Sequence, residues 1–375
     1  MREPVGERRR RILAAVRARG EVRVADLASE LQVSMVTARR DIEVLAQEGK
    51  LRRGHGSARS LVPAGRPSAP PSGGPGAVAL VVPERHAYLN EVMYGARTAL
   101  EAAGMRVVLH IAPQVEGAER PIVERIPQEG VRGLLIAPRW RSAAEEEADQ
   151  QWLAKVERPT VLMERRPRPG GPLHTMDAVC SDHGYGVRLA VDHLVGLGHR
   201  RIVLAARADS PTARAVRAAF AEVAEADPRV EDWTAVLSAE GADADGGAGP
   251  EPDFGDPGWL AALLRCRGAT AALLHGDVDA LMLVQRLAEA GVRVPEDCSV
   301  VAYDDVVAAL GAIPLTAVAP PKAEVGRVAA ELMRDRLAAE EAGSVWSPRR
   351  VEVLPHLEVR ESTRAAAPDR PRPGW

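Results

Sequence analysis

The sequence predicts an α/β protein with a small helical module in front of it. Beyond residue 76, short apolar runs such as "AVALVV" at 77–82 alternate with stretches of helical periodicity. This alternation is typical of a parallel sheet that is covered by helices on both faces. Within residues 1–60 three short helices can be placed instead. At 375 residues the chain has room for two or three hydrophobic cores.

Hydrophobic periodicity places the main elements of the large region. Predicted strands lie at 77–82, 106–111, 133–137, 159–163, 201–205, 271–275 and 299–303. Predicted helices include 88–103, 185–197, 279–290 and 323–341.

Composition marks the domain boundaries. Residues 62–75, "VPAGRPSAPPSGGP", hold almost nothing to bury, so we expect an extended linker there. The predicted organisation is an N-terminal module at 1–61, the linker at 62–75, a large unit at 76–364 and a disordered tail at 365–375.

Charge is distributed unevenly between these parts. Residues 1–60 contain 14 Lys and Arg against 8 Asp and Glu, a balance of +6, whereas the remainder has a balance of −9. A basic module attracts polyanions, and an acidic body limits promiscuous binding. The N-terminus carries charges where a signal peptide would need apolar residues, so we expect a cytoplasmic protein.

The cysteines do not indicate a metal site. Cys180, Cys266 and Cys298 are widely spaced, without a neighbouring histidine pair. We therefore expect reduced thiols in the core and no bound metal.

The N-terminal module has the pattern of a helix-turn-helix. Its three helices are predicted at about 7–19, 24–31 and 34–48. Ser34 suits the N-cap of the third helix, whose inner face is predicted to be Val36, Ile42 and Leu45. Two helices joined by so short a turn, the second capped and basic, form this motif.

The third helix carries side chains that suit DNA. Its first two turns hold Met35, Thr37, Arg39 and Arg40, several of them directed away from the apolar face. An arginine can bind a guanine edge or a phosphate, and the helix N-terminus favours a phosphate. The basic segment "KLRRGHGSARSL" that follows has the pattern of a β-wing. A solvated basic face on a three-helix domain is the alternative, but the order of cap, turn, helix and basic wing favours DNA binding.

The stretch "VRVADLASELQVSMVTARRDIEVLAQEGKLRRGHGSA" resembles the winged helix-turn-helix of the DeoR family. The resemblance covers about 50 residues. It implies that Ser34, Thr37, Arg39 and Arg40 lie at the DNA. Met35 is a further candidate from its place in the first turn of the helix. The residues that it implies in the wing are Arg52, Arg53 and His55. We interpret Asp41 as structural, because an unpaired acid would repel the phosphates.

In the large unit, polar residues follow the predicted strands. Ligands of open α/β sheets bind beyond the carboxyl ends of the strands. The residues at these ends include Glu84, His86, Trp140, Glu164, Asp277 and Asp304. Carboxylates and arginines mixed with an indole suit a polyol, although each charge taken singly is equally consistent with a solvated loop.

Four segments give a second resemblance. "HLVGLGHRRIVLAA", "AGVRVPEDCSVVAYDD", "PLTAVAPPKAEVGRVAAELM" and "VLPHLEVRESTR" are similar, in that order, to the LacI/GalR effector domain. The resemblance implies two Rossmann-like parallel-sheet lobes of the periplasmic-binding-protein type, joined by three crossovers, with an effector between them and dimerisation through the core. We expect the N-lobe at 76–168 and 308–342 and the C-lobe at 173–306 and 345–364.

The same resemblance assigns the effector residues and shows two departures. It places Glu164, Asp277 and Asp304 at ligand positions. Gly276 stands where the family has an Asn, and Val216 stands where it has a ligand arginine. We therefore expect Arg214, which lies close by, to bind the effector. The LacI-type headpiece is replaced by a DeoR-type module, so the protein resembles a hybrid.

These observations predict a transcription regulator. We expect a homodimeric repressor that binds double-stranded operator DNA and is controlled by a sugar-like effector, without a cofactor or a membrane partner. A Rossmann-type enzyme is the first alternative, but no GxGxxG follows the first strand and no catalytic triad spacing occurs. A non-regulatory sugar-binding protein is the second, and the basic N-terminal module disfavours it.

Overall fold

The computed structural model describes most of the large unit and parts of the N-terminal module. The described residues are 8–9, 12, 21–24, 27–28, 33–47, 52–54, 57–59, 76–84, 87–126, 130–239 and 253–367. The chain divides into two compact units, Met1–Gly73 and Gly74–Trp375. The predicted linker at 62–75 lies outside the described residues.

The N-terminal unit combines helix with a small antiparallel sheet. Its helix α1 spans Met35–Gln47, and residues 24, 27 and 28 are also helical. The three strands pair in the order β1-β3-β2: β1 (Glu21–Arg23), β2 (Arg52–Gly54) and β3 (Ser57–Arg59). The predicted wing is therefore a β-hairpin, and β1 adds a strand that the sequence analysis did not predict.

Apolar side chains from these segments form one core. It contains Ile12, Val22, Val24, Leu27, Ala28, Ala38, Ile42 and Leu45. The predicted inward position of Val36 is wrong, because its side chain is 75% exposed. Helix α1 begins at Met35, and its inner face runs from Ala38 through Ile42 to Leu45 at helical spacing.

The second unit contains two lobes, each built on a six-stranded sheet with helices on both faces, which confirms the predicted fold class. The N-lobe sheet is parallel throughout, in the order β14-β8-β7-β6-β4-β5. Its strands are β4 (Ala77–Pro83), β5 (Arg106–Ala112), β6 (Val131–Ile136), β7 (Thr160–Met163), β8 (Asp177–Ser181) and β14 (Arg350–Val353). Its helices are α2 (Ala87–Ala102), α3 (Glu119–Arg125), α4 (Ala143–Leu153) and α9 (Lys322–Glu341).

The C-lobe repeats this architecture with one antiparallel edge. Its strand order is β10-β9-β11-β12-β13-β15, and only β15 runs antiparallel to its neighbour among these pairings. Its strands are β9 (Arg201–Ala206), β10 (Asp232–Leu237), β11 (Ala271–His275), β12 (Ser299–Tyr303), β13 (Thr316–Ala319) and β15 (His356–Glu358). Its helices are α5 (His183–Gly196), α6 (Pro211–Ala226), α7 (Trp259–Arg267) and α8 (Asp277–Glu289).

The chain passes between the lobes three times, as expected, but the lobe boundaries differ from the prediction. The crossovers lie between β8 and α5, between β13 and α9, and between β14 and β15. Strands β8 and β14, which were assigned to the C-lobe, pair with each other in the N-lobe sheet. Strand β13, which was assigned to the N-lobe, pairs with β12 and β15 in the C-lobe. Strand pairing decides lobe membership here, and the sequence pattern does not report it.

Cys180 and Cys298 are buried as expected, whereas Cys266 is exposed on α7, so its predicted core position is wrong.

The tail that was predicted to be disordered from residue 365 is ordered at its start. The Ala366 N–H donates to the Leu197 carbonyl at 2.8 Å, and residues 368–375 lie outside the described part.

No helix in the described part of the chain combines the length and the apolar character needed to cross a membrane.

Candidate DNA-recognition surface and interlobe site

Ser34 caps helix α1, as the sequence predicted. Its Oγ accepts a hydrogen bond from the Thr37 backbone N–H at 3.1 Å and lies 2.8 Å from the Thr37 hydroxyl. An N-cap of this kind satisfies one of the free N–H groups of the first turn. The start of the helix is therefore fixed by its own side chains.

The first turns of α1 present an uncovered surface. The side chains of Met35, Val36, Arg39 and Arg40 are exposed, and Thr37 is half-buried. Two guanidiniums beside two apolar side chains match the chemistry of a major-groove edge, where guanine acceptors alternate with thymine methyl groups. Val36 is a candidate contact that the sequence analysis missed, because it was assigned to the core.

Asp41 lies on the opposite, inner face of α1. It is 3% exposed, and its two carboxylate oxygens accept hydrogen bonds from Arg8 Nε at 2.7 Å and Arg9 Nε at 3.0 Å. This arrangement confirms the structural interpretation of Asp41. It also ties helix α1 to the N-terminal segment.

The wing is described by its backbone. Arg52 pairs with Arg59 and Gly54 pairs with Ser57 across the hairpin. The side chains of Arg52 and Arg53, and the whole of His55, lie outside the described part, so their DNA contacts stay predictions.

In the second unit, Glu164 is the centre of a buried polar cluster between the lobes. It follows β7 with a φ of +54° and accepts hydrogen bonds from the Tyr88 hydroxyl at 2.7 Å and the Ser181 hydroxyl at 2.8 Å. His183 Nε2 lies 3.6 Å from its second oxygen. Burial alone would raise the pKa of Glu164, but the bonds and charge of His183, with Tyr88 and Ser181, lower it.

This cluster continues into the C-lobe. His183 Nδ1 lies 3.1 Å from the hydroxyl of Tyr303, which ends strand β12. Tyr88 and Glu164 belong to the N-lobe, whereas His183 and Tyr303 belong to the C-lobe. The sequence analysis missed Tyr88 and His183, and strand β8, which positions Ser181, was not predicted.

The backbone at Glu164 is held by its neighbour Arg165. The Arg165 guanidinium is buried and donates to the carbonyls of Pro138 and, at 2.8 Å, Glu164. Burial lowers the pKa of Arg165 to about 10. These bonds stabilise a left-handed conformation that a glutamate rarely adopts.

Asp304 lies on the C-lobe side of the same region, directly after Tyr303. Its φ is +108°, and its Oδ1 atom is buried without a hydrogen-bond partner among the described residues. Burial raises the pKa of Asp304 well above its ordinary value, and the neighbouring Asp277 carboxylate raises it further, while Lys322 opposes the shift. An orphaned carboxylate oxygen between two lobes is a strong indication of a ligand contact.

Lys322 does not satisfy this carboxylate. Its ammonium donates to the backbone carbonyls of Asp304 at 2.6 Å, Asp305 at 3.3 Å and Pro320 at 3.4 Å. It therefore joins the start of α9 in the N-lobe to the loop after β12 in the C-lobe.

Asp277, which was predicted to bind the effector, is engaged by the backbone instead. Its carboxylate accepts hydrogen bonds from the N–H groups of Asp305, Val306, Val307 and Ala308. These bonds make Asp277 a positioning residue for the loop that follows Asp304, and its contact with an effector stays a prediction. Burial raises the pKa of Asp277, and these backbone bonds oppose that shift.

The backbone conformation explains why a glycine precedes Asp277. Gly276 has a φ of +85°, a region that side chains with a Cβ disfavour. The family asparagine is thus replaced where the backbone favours glycine.

Arg214 also differs from its predicted role. From helix α6 in the C-lobe it donates to Glu146 Oε2 at 2.9 Å and to the carbonyls of Trp140 at 3.2 Å and Arg141 at 3.1 Å. All three partners belong to the N-lobe. Arg214 therefore bridges the lobes directly, and Val216 beside it is buried in the C-lobe core.

The remaining predicted effector residues lie in different environments. Trp140 is 2% exposed in the N-lobe core, and its indole N–H donates to Asp149 at 3.0 Å. Glu84 is half-buried and accepts from the Gln114 N–H at 3.3 Å. His86 lies outside the described residues. Of the predicted set, Glu164 and Asp304 are brought together between the lobes.

Acidic and histidine side chains in the described part form no cluster of three that could hold a metal ion.

Two parts of this chain match the models of known domain families. Residues 8–63 match the DeoR-like helix-turn-helix domain, and residues 191–363 match the periplasmic binding protein-like domain. These matches agree with both resemblances seen in the sequence.

Characterised relatives are transcriptional repressors. The chain is 31% identical over 198 residues to the HTH-type transcriptional repressor PurR of Haemophilus influenzae, covering 52% of this chain and 56% of the relative. It is 26% identical over 292 residues to PurR of Photobacterium profundum, covering 76% and 80%. The chain thus spans little more than half the length of the first of these relatives.

Solved structures share the fold. The transcriptional regulator CelR in complex with cellobiose has a TM-score of 0.59 at 25% identity, with 88% of this chain and 92% of that chain covered. The lac repressor dimer bound to operator and the anti-inducer ONPF has a TM-score of 0.59 at 21% identity, with 77% and 94% covered.

Proposed function

We propose that this chain, which joins a DeoR-like helix-turn-helix domain to a periplasmic binding protein-like domain of the LacI type, is a transcriptional repressor. It binds operator DNA through helix α1 and is controlled by a small sugar-like effector between the lobes. No reaction is assigned to the interlobe site.

The capped, exposed start of α1 carries this proposal. Arg39 and Arg40 stand free of the core on a helix that Ser34 caps, and the basic hairpin of residues 52–59 follows it. The repressor relatives and the DeoR-like match support the same use of this surface.

Control by an effector follows from the construction of the second unit. Glu164 comes from the N-lobe and Asp304 from the C-lobe, so a molecule bound to both acts on the angle between the lobes. The effector can change the operator affinity only if it binds one lobe arrangement more tightly than the other. In a dimer, such a change alters the spacing of two recognition helices in successive major grooves.

An exposed apolar patch on the C-lobe supports a homodimer. Val278 and Met282 lie one turn apart on α8, and Leu310 lies in the adjacent 3₁₀ turn; all three are exposed. A cluster of large exposed apolar side chains marks an interface more often than chance exposure does. Met282→Glu is expected to convert a dimer to a monomer, as measured by light scattering on a sizing column.

Fluorescence anisotropy with labelled DNA flanking the gene tests the DNA proposal at fixed salt. Arg39→Ala and Arg40→Ala are each expected to weaken operator binding by about 1–3 kcal/mol. Arg97→Ala removes an exposed arginine from α2 and serves as the matched control, with unchanged affinity expected. Equal operator affinity in all three variants would remove the assignment of α1.

A further inference from the structure

We infer that the effector carries a protonated amino group that binds the Asp304 carboxylate, and that the site selects an amine-bearing polyol over neutral or anionic sugars. This inference rests on the proposed function and names the chemical class of its effector.

The Asp304 carboxylate is unsatisfied. Its Oδ1 atom is buried without a hydrogen-bond partner among the described residues, although the residue as a whole is only half-buried. A carboxylate removed from water without a hydrogen bond is strongly destabilised, and an ammonium restores both the bond and the countercharge.

Two acids lie near the Asp304 carboxylate. Asp277 behind the loop and Glu164 across the lobes act electrostatically on Asp304, and the Lys322 ammonium opposes them. The two acids favour a cation at Asp304 and oppose a sugar acid or phosphate.

The N–H donors of the nearby cations already have partners. Lys322 binds three backbone carbonyls, and Arg165 binds two. Arg214 is held by Glu146 and two carbonyls, and Arg207 pairs with Asp209 at 2.6 Å and Asp279 at 3.3 Å. An anionic effector would have to compete with these partners for the same donors.

Hydroxyl groups near Glu164 suit the rest of the effector. The polar groups around Glu164 are the hydroxyls of Tyr88, Ser181 and Tyr303 and the imidazole of His183. Hydroxyls both donate and accept, so they suit vicinal hydroxyls of a small polyol next to the amine. The ligand class is therefore an amino sugar or a related amino polyol.

Release of operator from the full chain tests this inference. The probes are matched sets that share one ring and differ in one group: glucosamine, glucose and glucuronate, and galactosamine, galactose and galacturonate. We expect an amino sugar to release the operator at a concentration at least about tenfold lower than its neutral partner, and the acid to be inactive.

Calorimetry supplies a second readout. Uptake of an ammonium by the Asp304 carboxylate should make the dissociation constant of the amino sugar about tenfold smaller than that of its neutral partner. In Asp304→Asn this preference for the amine should disappear. Glu101→Gln, an exposed acid on α2, is the control and should keep it.

The outcomes separate the two proposals. If operator DNA is not bound at all, the proposed function fails. If operator is bound but a neutral or acidic sugar releases it as well as the amino sugar does, or neither amino sugar releases it, this inference is overturned while the repressor proposal stands.

Discussion

Arg214 of the C-lobe and Glu146 of the N-lobe form an ion pair at 2.9 Å that joins the lobes in addition to the three crossovers. Glu146 is buried. Its Oε1 atom accepts a hydrogen bond from Gln150 Nε2 at 3.1 Å and forms an ion pair with Arg168 Nε at 3.3 Å. Because Arg214 additionally holds two N-lobe carbonyls, separation of the lobes must break three hydrogen bonds at this one side chain.

We predict that this interlobe ion pair stabilises the observed lobe arrangement. Glu146→Gln and Arg214→Met should each favour lobe opening by about 1–3 kcal/mol. Glu146→Gln removes the countercharge of Arg214, and Arg214→Met removes a hydrogen-bonded countercharge of Glu146. Small-angle X-ray scattering should show a larger radius of gyration, and a double-mutant cycle should give a coupling energy of similar size.

The control for this cycle is a pair of the same chemistry in solvent. Arg97 and Glu101 lie 2.7 Å apart on α2, and both are about half exposed. Glu101→Gln should change stability by less than about 0.5 kcal/mol. An equal effect of Glu146→Gln and Glu101→Gln would contradict a special role for Arg214.

Asp304 should destabilise the effector-free protein at neutral pH. Its pKa is raised in the folded state above the ordinary value of 3.8, so the penalty is absent below that pH and grows as the pH rises toward the raised pKa. Asp304→Asn should therefore raise the thermal stability by about 1 kcal/mol or more at pH 7, and the gain should vanish near pH 3.5. Thermal unfolding across this range measures it, and a loss of stability at pH 7 would refute the argument.

We expect Asp41 to stabilise the N-terminal unit and not to contact DNA directly. Asp41→Asn leaves Arg8 and Arg9 without their countercharge and should destabilise the N-terminal unit by about 1–3 kcal/mol. Arg40→Gln changes an exposed charge on the same helix and should have a smaller effect. Circular dichroism during thermal unfolding distinguishes the two variants.

The contact between α2 and α9 depends on two glycines. A Cβ on Gly326 would overlap the Val92 carbonyl, and one on Gly95 would overlap the Ala323 carbonyl. Gly326→Ala should therefore cost about 2 kcal/mol or more, because the helix backbones must separate. Gly196→Ala, at an exposed position with nothing within 4 Å of the added Cβ, should instead stabilise α5 by about 0.5–1 kcal/mol in denaturant titration.

Local patterns predicted the elements whose signals lie within a few residues. The Ser34 cap, the hairpin that follows α1 and the long strands β4, β9 and β11 were all visible, because capping and apolar runs are properties of adjacent residues. The short strand β8 escaped prediction, since "DAVCS" begins and ends with polar side chains that only the fold buries.

By itself, the sequence determined the fold class, the capped helix α1 and the acids that follow strands β7 and β12. The tertiary structure decided which of these residues act together. Asp277 and Arg214 have the residue types of ligand contacts, yet one binds a loop backbone and the other bridges the lobes. Strand pairing assigned β8, β13 and β14 to their lobes. The partner of a charged side chain and the sheet that accepts a strand are set by long-range packing, and a local pattern carries no record of either.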